Sequence, residues 1–204
     1  MTLTKSFYRR TDVVKIARDL LGKSLFTQID GITTGGIIVE TEAYSWTERG
    51  CHAFQKRKTG RNAIMFEEGG FSYVYLCYGI HYLFNVVTNV SDIPEAVLVR
   101  ALEPTHGMEE MRIRRGAGLQ LTSGPGKLTR ALGIDRKFNG KSLLSDEIWI
   151  DDRPGKPAQG KIASGPRIGI DYAGEDAALP WRFWLKDNPW VSRISKKENK
   201  KLTG

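Results

Sequence analysis

From residue 23 onward, apolar and polar positions repeatedly alternate with a period of two, the spacing of strands that bury one face. KSLFTQIDGITTGGIIVETEAY reads as a β-hairpin. Its Asp30-Gly31 pair suits a tight turn, and Gly35-Gly36 interrupts the second arm as a bulge would. FSYVYLCYGIHYLFNVVTNV predicts two strands around a turn near Gly79. EAVLVRALEP predicts another, apolar except for Arg100 and ending before Pro104. Within Asp135 to Gly160 only LLSDEIWI is strand-like, and KIASGPRIGIDYAG and PWRFWLKD predict the last two strands.

Helical spacing is briefer. TDVVKIARDLLG predicts a helix capped by Thr11 or Asp12, with Val13, Ala17 and Leu20 on one face and Gly22 at its end. HGMEEMRIRRG predicts a short basic helix. SGPGKLTRALG predicts another, with Ser123 as cap, Pro125 in the first turn and Gly133 as stop. Ser45 to Gly70 has no sustained period and reads as a long loop with one helical turn near Ala63–Phe66. Loops of that length are usually functional. Neither repeat nor linker divides the chain. The expectation is an α+β fold, a single domain over 1–204 with a curved, mostly antiparallel β-sheet flanked by helices. Residues 196–204 read as a basic, frayed tail.

Composition narrows the function classes. The 204 residues are 40% hydrophobic and 26% charged, ordinary for a soluble domain. No run reaches the length of a membrane span and the start has no apolar leader, so the expectation is a cytoplasmic protein without membrane contact. A net charge of +8 suits a polyanionic partner, as well as a basic protein that binds none. Cys51 and Cys77 make no zinc-like spacing with the three histidines, so no metal is expected. Cys77, within an apolar strand pattern, reads as a buried thiol.

Candidate chemistry gathers between Ile37 and Tyr82. Period two puts Glu40, Glu42 and Tyr44 on one strand face, either a polar face turned to water or a set of catalytic groups. Arg100 in an apolar strand needs a carboxylate or carbonyl partner. Tyr73 and Tyr75 share a strand face, Tyr78 stands at the bend beside Gly79, and Asn85 is an amide in an apolar strand. Tyrosines of this kind pack in cores, or sandwich a flipped base and wedge into a stack. SGPGKLTRALG lacks the spacing of a phosphate loop. It still offers a helix N-terminus with Lys127 nearby, which with Arg61 of the basic loop is a candidate for DNA-backbone phosphates.

Taken in order, IIVETEAY, His52, RNAIMF, YVYLCYG with Asn85, VLVRALEP, SGPGKLTRALGI, PRIGIDYAG and RFWLKDNPWVS resemble the alkyladenine (3-methyladenine, N-methylpurine) DNA glycosylase family. The resemblance spans about residues 8 to 193. It implies hydrolysis of the N-glycosidic bond of a damaged purine flipped out of double-stranded DNA, by a monomer using no cofactor. It implies Glu42 as the general base, Arg100 holding the water, and the main-chain carbonyl near Ile168 as a further contact. Tyr44, His52 and Tyr75 become the base-pocket walls, Tyr78 the intercalating wedge, and Asn85 the side chain that disfavours guanine's exocyclic amine. His81 stands where the family has a further tyrosine. A lyase working through Lys127, and a non-catalytic DNA-binding module, are the competing readings. The lesion is open among 3-methyladenine, 7-methylguanine, hypoxanthine and ethenoadenine.

Overall fold

The long strand Ile32–Ser45 (β2) is the spine on which the other strands are assembled. A computed structural model describes residues 1–116, 120–155, 157 and 160–193; the tail expected at 196–204 lies outside the described residues. Lys23–Ile29 (β1) folds back onto the start of β2 through Asp30 and Gly31, whose φ angles of 50° and 78° are those of a tight hairpin turn. Glu95–His106 (β5) runs along the opposite edge of β2 for almost its whole length. Ser72–Cys77 (β3) and His81–Thr88 (β4) form a hairpin that joins β5, and Ile148–Pro154 (β6) joins β1. The short strands Ile162–Gly165 (β7) and Arg182–Leu185 (β8) attach where β1 has left off, with β8 against Glu40–Glu42. The sheet order is β3-β4-β5-β2-β1-β6 with β8 and β7 branching from β2, and every named pair is antiparallel. The sheet is open and the architecture is α+β.

Three predicted features move. The strand expected to stop before Pro104 continues to His106, because Pro104 stands opposite Gly36 at the shift of register where its missing N–H costs the ladder little. A side chain at Gly36 would meet the Glu103 carbonyl at 2.2 Å, so the bulge needs glycine. β6 takes only the second half of LLSDEIWI, and IGIDYAG leaves the sheet for a 3-10 segment at Asp171–Ala178.

The helices cover one face of the sheet. Val13–Leu20 (α2) follows the single turn Lys5–Tyr8 (α1) and is capped by the Asp12 carboxylate, which accepts from the Lys15 N–H at 2.9 Å. Met108–Arg115 (α3) and Pro125–Leu132 (α4) come after β5. Ser123 does not cap α4 as expected: Gly124 holds that position at φ 118°, and the Ser123 hydroxyl donates instead to the Val191 carbonyl. Ile16, Leu20, Val97, Val99, Leu128 and Leu132 share the main core. Alternate residues of the same strands, Tyr73, Val87 and Ala96, face the other side and pack with Cys51, Met65 and Phe66 of the 45–70 loop. That second cluster forms the floor of a cleft.

Candidate active site

A cleft of about 580 Å³, within the range of small-molecule sites, opens over the second cluster. Five parts of the chain wall it: β2 and β5, the 45–70 loop, the β3–β4 hairpin, the first turn of α4, and the loop after β7. Tyr44, His52, Tyr73, Tyr75, Asn85, Arg100 and Ile168 all reach it.

Glu40 and Glu42 do not face water. Both are 0% exposed, because β5 and β8 lie on either side of β2 and each carries an arginine to this face. The register between β2 and β5 shifts so that Glu40 opposes Ala101 and Thr41 opposes Val99. Arg100 falls between these pairs, and the bulge turns its guanidinium across both carboxylates. Its Nε donates to Glu40 Oε1 and its Nη1 lies beside Glu42 Oε2, each at 3.1 Å. Burial disfavours the Arg100 cation, yet Glu42 and Glu40 outweigh it and hold its pKa above the usual value.

The two carboxylates differ in what completes them. Glu40 takes a second arginine, Arg182 at 3.1 Å, and the Ser192 amide at 2.8 Å. Glu42 takes the Tyr44 hydroxyl at 2.8 Å and the Ile168 amide at 2.8 Å. Glu42 therefore lies immediately behind the cleft, screened by Tyr44, Arg100 and Ile168, which all line it. Arg100 touches Glu42 directly, and Ile168 presents its main-chain amide to the same carboxylate.

The aromatic walls are held by contacts with one another. His52 Nδ1 pairs with the Tyr73 hydroxyl at 2.8 Å, and its ring meets Tyr75 edge-on at 4.6 Å. Tyr73 and Tyr75 are 5.2 Å apart, and Arg61 sits over the Tyr75 ring at 4.8 Å. Desolvation, then the Arg61 charge, lowers the His52 imidazolium pKa to about 4. The ring keeps an open edge to solvent. Burial raises the phenol pKa values of Tyr44 and Tyr75, keeping both neutral hydrogen-bond donors at physiological pH. Asn85 is buried and gives one amide hydrogen to the Tyr73 carbonyl at 3.1 Å.

Tyr78 stands at the tip of the β3–β4 hairpin, 87% exposed, at φ 50°. Bulky side chains rarely adopt that conformation, and the strain is tolerated where a turn must push an aromatic outward. Leu76 and Ile80 beside it are also exposed. Cys77 is half-exposed here rather than buried; Cys51 is the buried thiol, its pKa pushed up to about 12 by desolvation, and both are free. Lys127 lines the cleft mouth and donates to Gln120 at 3.0 Å, while Gly126 lets α4 approach His81, whose ring would be 2.7 Å from a side chain there. Among the described residues no cluster of His, Cys, Asp and Glu is fit to hold a metal.

Sequence reasoning gave no individual role to three residues that shape this site. Asn62 is buried and gives both amide hydrogens to main-chain carbonyls, of His52 at 2.8 Å and Arg57 at 2.9 Å, thereby tying down the basic loop. Arg182 completes the shell of Glu40. Arg167 forms a two-pronged pair with Glu48, both contacts at 2.7 Å, beneath the Tyr44 ring. Each is a polar residue in an unpatterned or weakly patterned stretch, where spacing offers no signal.

Comparison with known proteins bears on the whole of this arrangement. The profile of the methylpurine-DNA glycosylase family matches residues 6–189. A relative from Chlamydia felis is 48% identical over 90% of this chain and 95% of its own length. Others from Natranaerobius thermophilus and Bacillus cereus are 44% and 45% identical over 94% and 95% of this chain, and 99% and 100% of theirs. All three carry the provisional name 3-methyladenine DNA glycosylase.

Proposed function

The chain belongs to the methylpurine-DNA glycosylase family, and from that premise we propose that it removes alkylated or deaminated purines from duplex DNA. It turns the damaged nucleotide into the aromatic cleft and hydrolyses its N-glycosidic bond. The observation that carries this reading is the Glu42 carboxylate, fully buried behind the cleft and held by three groups that all line it.

A carboxylate has about four acceptor positions. Three donors reach Glu42, which leaves one position for a water at the cleft side. Arg100 and the Tyr44 phenol open far enough to admit that water when the nucleotide arrives. As the sugar C1′ separates from the purine nitrogen, the bonding pair leaves with the base. The water oxygen attacks C1′, and its proton passes to Glu42. Positive charge on the sugar is stabilised by the same carboxylate. Tyr44, His52 and Tyr75 offer π-faces to the base, whose charge after alkylation strengthens the attraction. Tyr78 fills the vacated stack, offsetting part of the few kcal/mol that flipping costs. Arg61 and Lys127 are the phosphate contacts.

The water nucleophile makes the reaction monofunctional, leaving an intact abasic strand. A strand break, or a borohydride-trapped adduct at Lys127, would move the chemistry to an amine. Among the described residues no helix is long and apolar enough to cross a membrane; we read the protein as a cytoplasmic monomer. The deciding experiment is Glu42→Gln. Single-turnover release of methylpurines should fall about 10²–10⁴-fold, the usual worth of a general base, while binding to a duplex with an abasic analogue survives. Release at the wild-type rate would reduce Glu42 to a structural carboxylate.

A further inference from the structure

Arg167 has no place in the chemistry above, yet its side chain is 0% exposed and joins three segments around the site. Its two terminal nitrogens grip Glu48, at 2.7 Å each. Nη1 also reaches the Ala43 carbonyl of β2 at 2.9 Å, and Nη2 the Asp176 carbonyl at 3.2 Å. The guanidinium lies between the rings of Tyr44 at 4.7 Å and Trp181 at 5.3 Å. Across space it touches Ala43 and Tyr44 of β2, and along the chain it is followed by Ile168. Tyr44 and Ile168 are two of the three groups that hold Glu42.

Stability alone explains this arrangement poorly. Buried ion pairs are often matched or surpassed by apolar residues of the same volume. This one also leaves Arg167 Nε buried without a partner, a cost that a purely structural contact would shed. The fork does supply geometry. It fixes the loop after β7 against β2 in two directions at once, which sets where the Ile168 N–H points and how the Tyr44 ring is tilted.

We propose that Glu48 and Arg167 form a positioning pair that aims the Ile168 amide and the Tyr44 phenol at Glu42, and so sets the rate of base release without touching DNA. This rests on the reading of Glu42 as the general base. Loss of the fork loosens two of the three donors, Tyr44 and Ile168, while leaving His52, Tyr75 and the wedge in place.

The test uses Glu48→Gln and Arg167→Lys, which keep volume and remove the charge-paired fork. Single-turnover release from methylated DNA gives a rate constant per folded molecule, with the folded fraction taken from the amplitude. Binding is measured on a duplex carrying one tetrahydrofuran abasic analogue. The rate constant is expected to drop about 10–100-fold, as misplacement of about 1 Å does elsewhere, with binding within about threefold of wild type. A merely structural pair lowers the amplitude and leaves the rate constant unchanged, and that result overturns the proposal. So does a parallel loss of binding. Should neither variant fold, hydrogen exchange of the wild-type Ile168 amide decides: slow exchange supports the proposal, and exchange as fast as at exposed Gly169 overturns it. A wild-type chain that releases no methylpurine would refute the glycosylase reading itself, while the exchange result still reports on the pair.

Discussion

The middle of β2 and the tip of the β3–β4 hairpin lie on the same cleft and are built by opposite rules. At the middle of β2, two carboxylates are fully buried, and strands on both sides supply their partners. At the tip, Leu76, Tyr78 and Ile80 project apolar surface into water, and Tyr78 sits in a strained backbone conformation. The first arrangement gives a charge a fixed address in a dry place, which catalysis needs because fixed groups lose nothing to reorganisation. The second stores exposed apolar area that only a partner can cover. The proposed function thus assigns chemistry to the rigid spine and recognition to the projecting turn.

The sharpest break in that comparison is within β2 itself. Glu40→Gln and Glu42→Gln each remove one negative charge from the same buried layer. Glu40→Gln strands two arginines and should lower stability by about 3–5 kcal/mol, the usual result of breaking a buried pair. Glu42→Gln should unfold at a higher temperature than Glu40→Gln and yet lose far more rate per folded molecule. Thermal melts beside single-turnover assays check it. If the two variants exchange these behaviours, Glu40 is the base and the assignment within the layer is reversed.

Next in size is the tip. Tyr78→Ser removes the ring but not the turn. Binding to a duplex with one lesion should weaken by roughly 1–3 kcal/mol, or about 5–150-fold, on the scale of a lost base–aromatic stack. Binding to the matching single strand should change much less, since it has no stack to refill. Competition measurements on both forms test this, and equal losses would make Tyr78 a general contact rather than a wedge.

The two regions also differ in how far the sequence announces them. The tip was legible, because a Tyr-Gly bend between alternating strands is a local signal and the exposure of its side chain follows from the turn. At the spine, Glu42 and Arg100 stood out as charges in apolar strands, but nothing local distinguished Glu42 from Glu40. Their different shells come from Arg182, Ser192 and Ile168, which lie 142, 152 and 126 residues away from the carboxylates they bind. Only the resemblance to a family separated the two. The Glu48–Arg167 pair escaped for the same reason, its halves being 119 residues apart in loops without a period. Misreadings of extent, such as the strand running on through Pro104, arose where a bulge excused a residue that propensity forbids.

A smaller effect should come from the rim. Lys127 reaches the cleft mouth from the first turn of α4 and donates to Gln120. Lys127→Ala should lower duplex affinity several-fold whatever the sequence, and make the slope of log affinity against log salt shallower by about 1, one counterion's worth. A salt titration of wild type and variant reads this directly. An unchanged slope would take Lys127 off the backbone.

The smallest expected effect is a flat line, and it concerns His52, where the two regions meet. An ordinary histidine near 6.5 would be only about a tenth neutral at pH 5.5. A pocket that needed its neutral imidazole would then lose about tenfold in rate between pH 7.5 and 5.5. Here desolvation by its neighbours, helped by the Arg61 charge, pushes the folded-state value down to about 4. The neutral ring, paired with the Tyr73 hydroxyl, therefore persists through that range. The ratio of wild-type to His52→Gln excision rates should stay constant from pH 7.5 to 5.5. The sign for stability follows from the same shift. A folded-state value below the unfolded one gives a contribution that is present above about 6.5 and lost as pH falls toward about 4. Over that lower window wild-type melting temperature should fall more steeply than that of His52→Gln. A rate ratio that bends near pH 6.5 would mean that the open edge of the ring, and the solvent in the cleft, govern His52 rather than the walls around it.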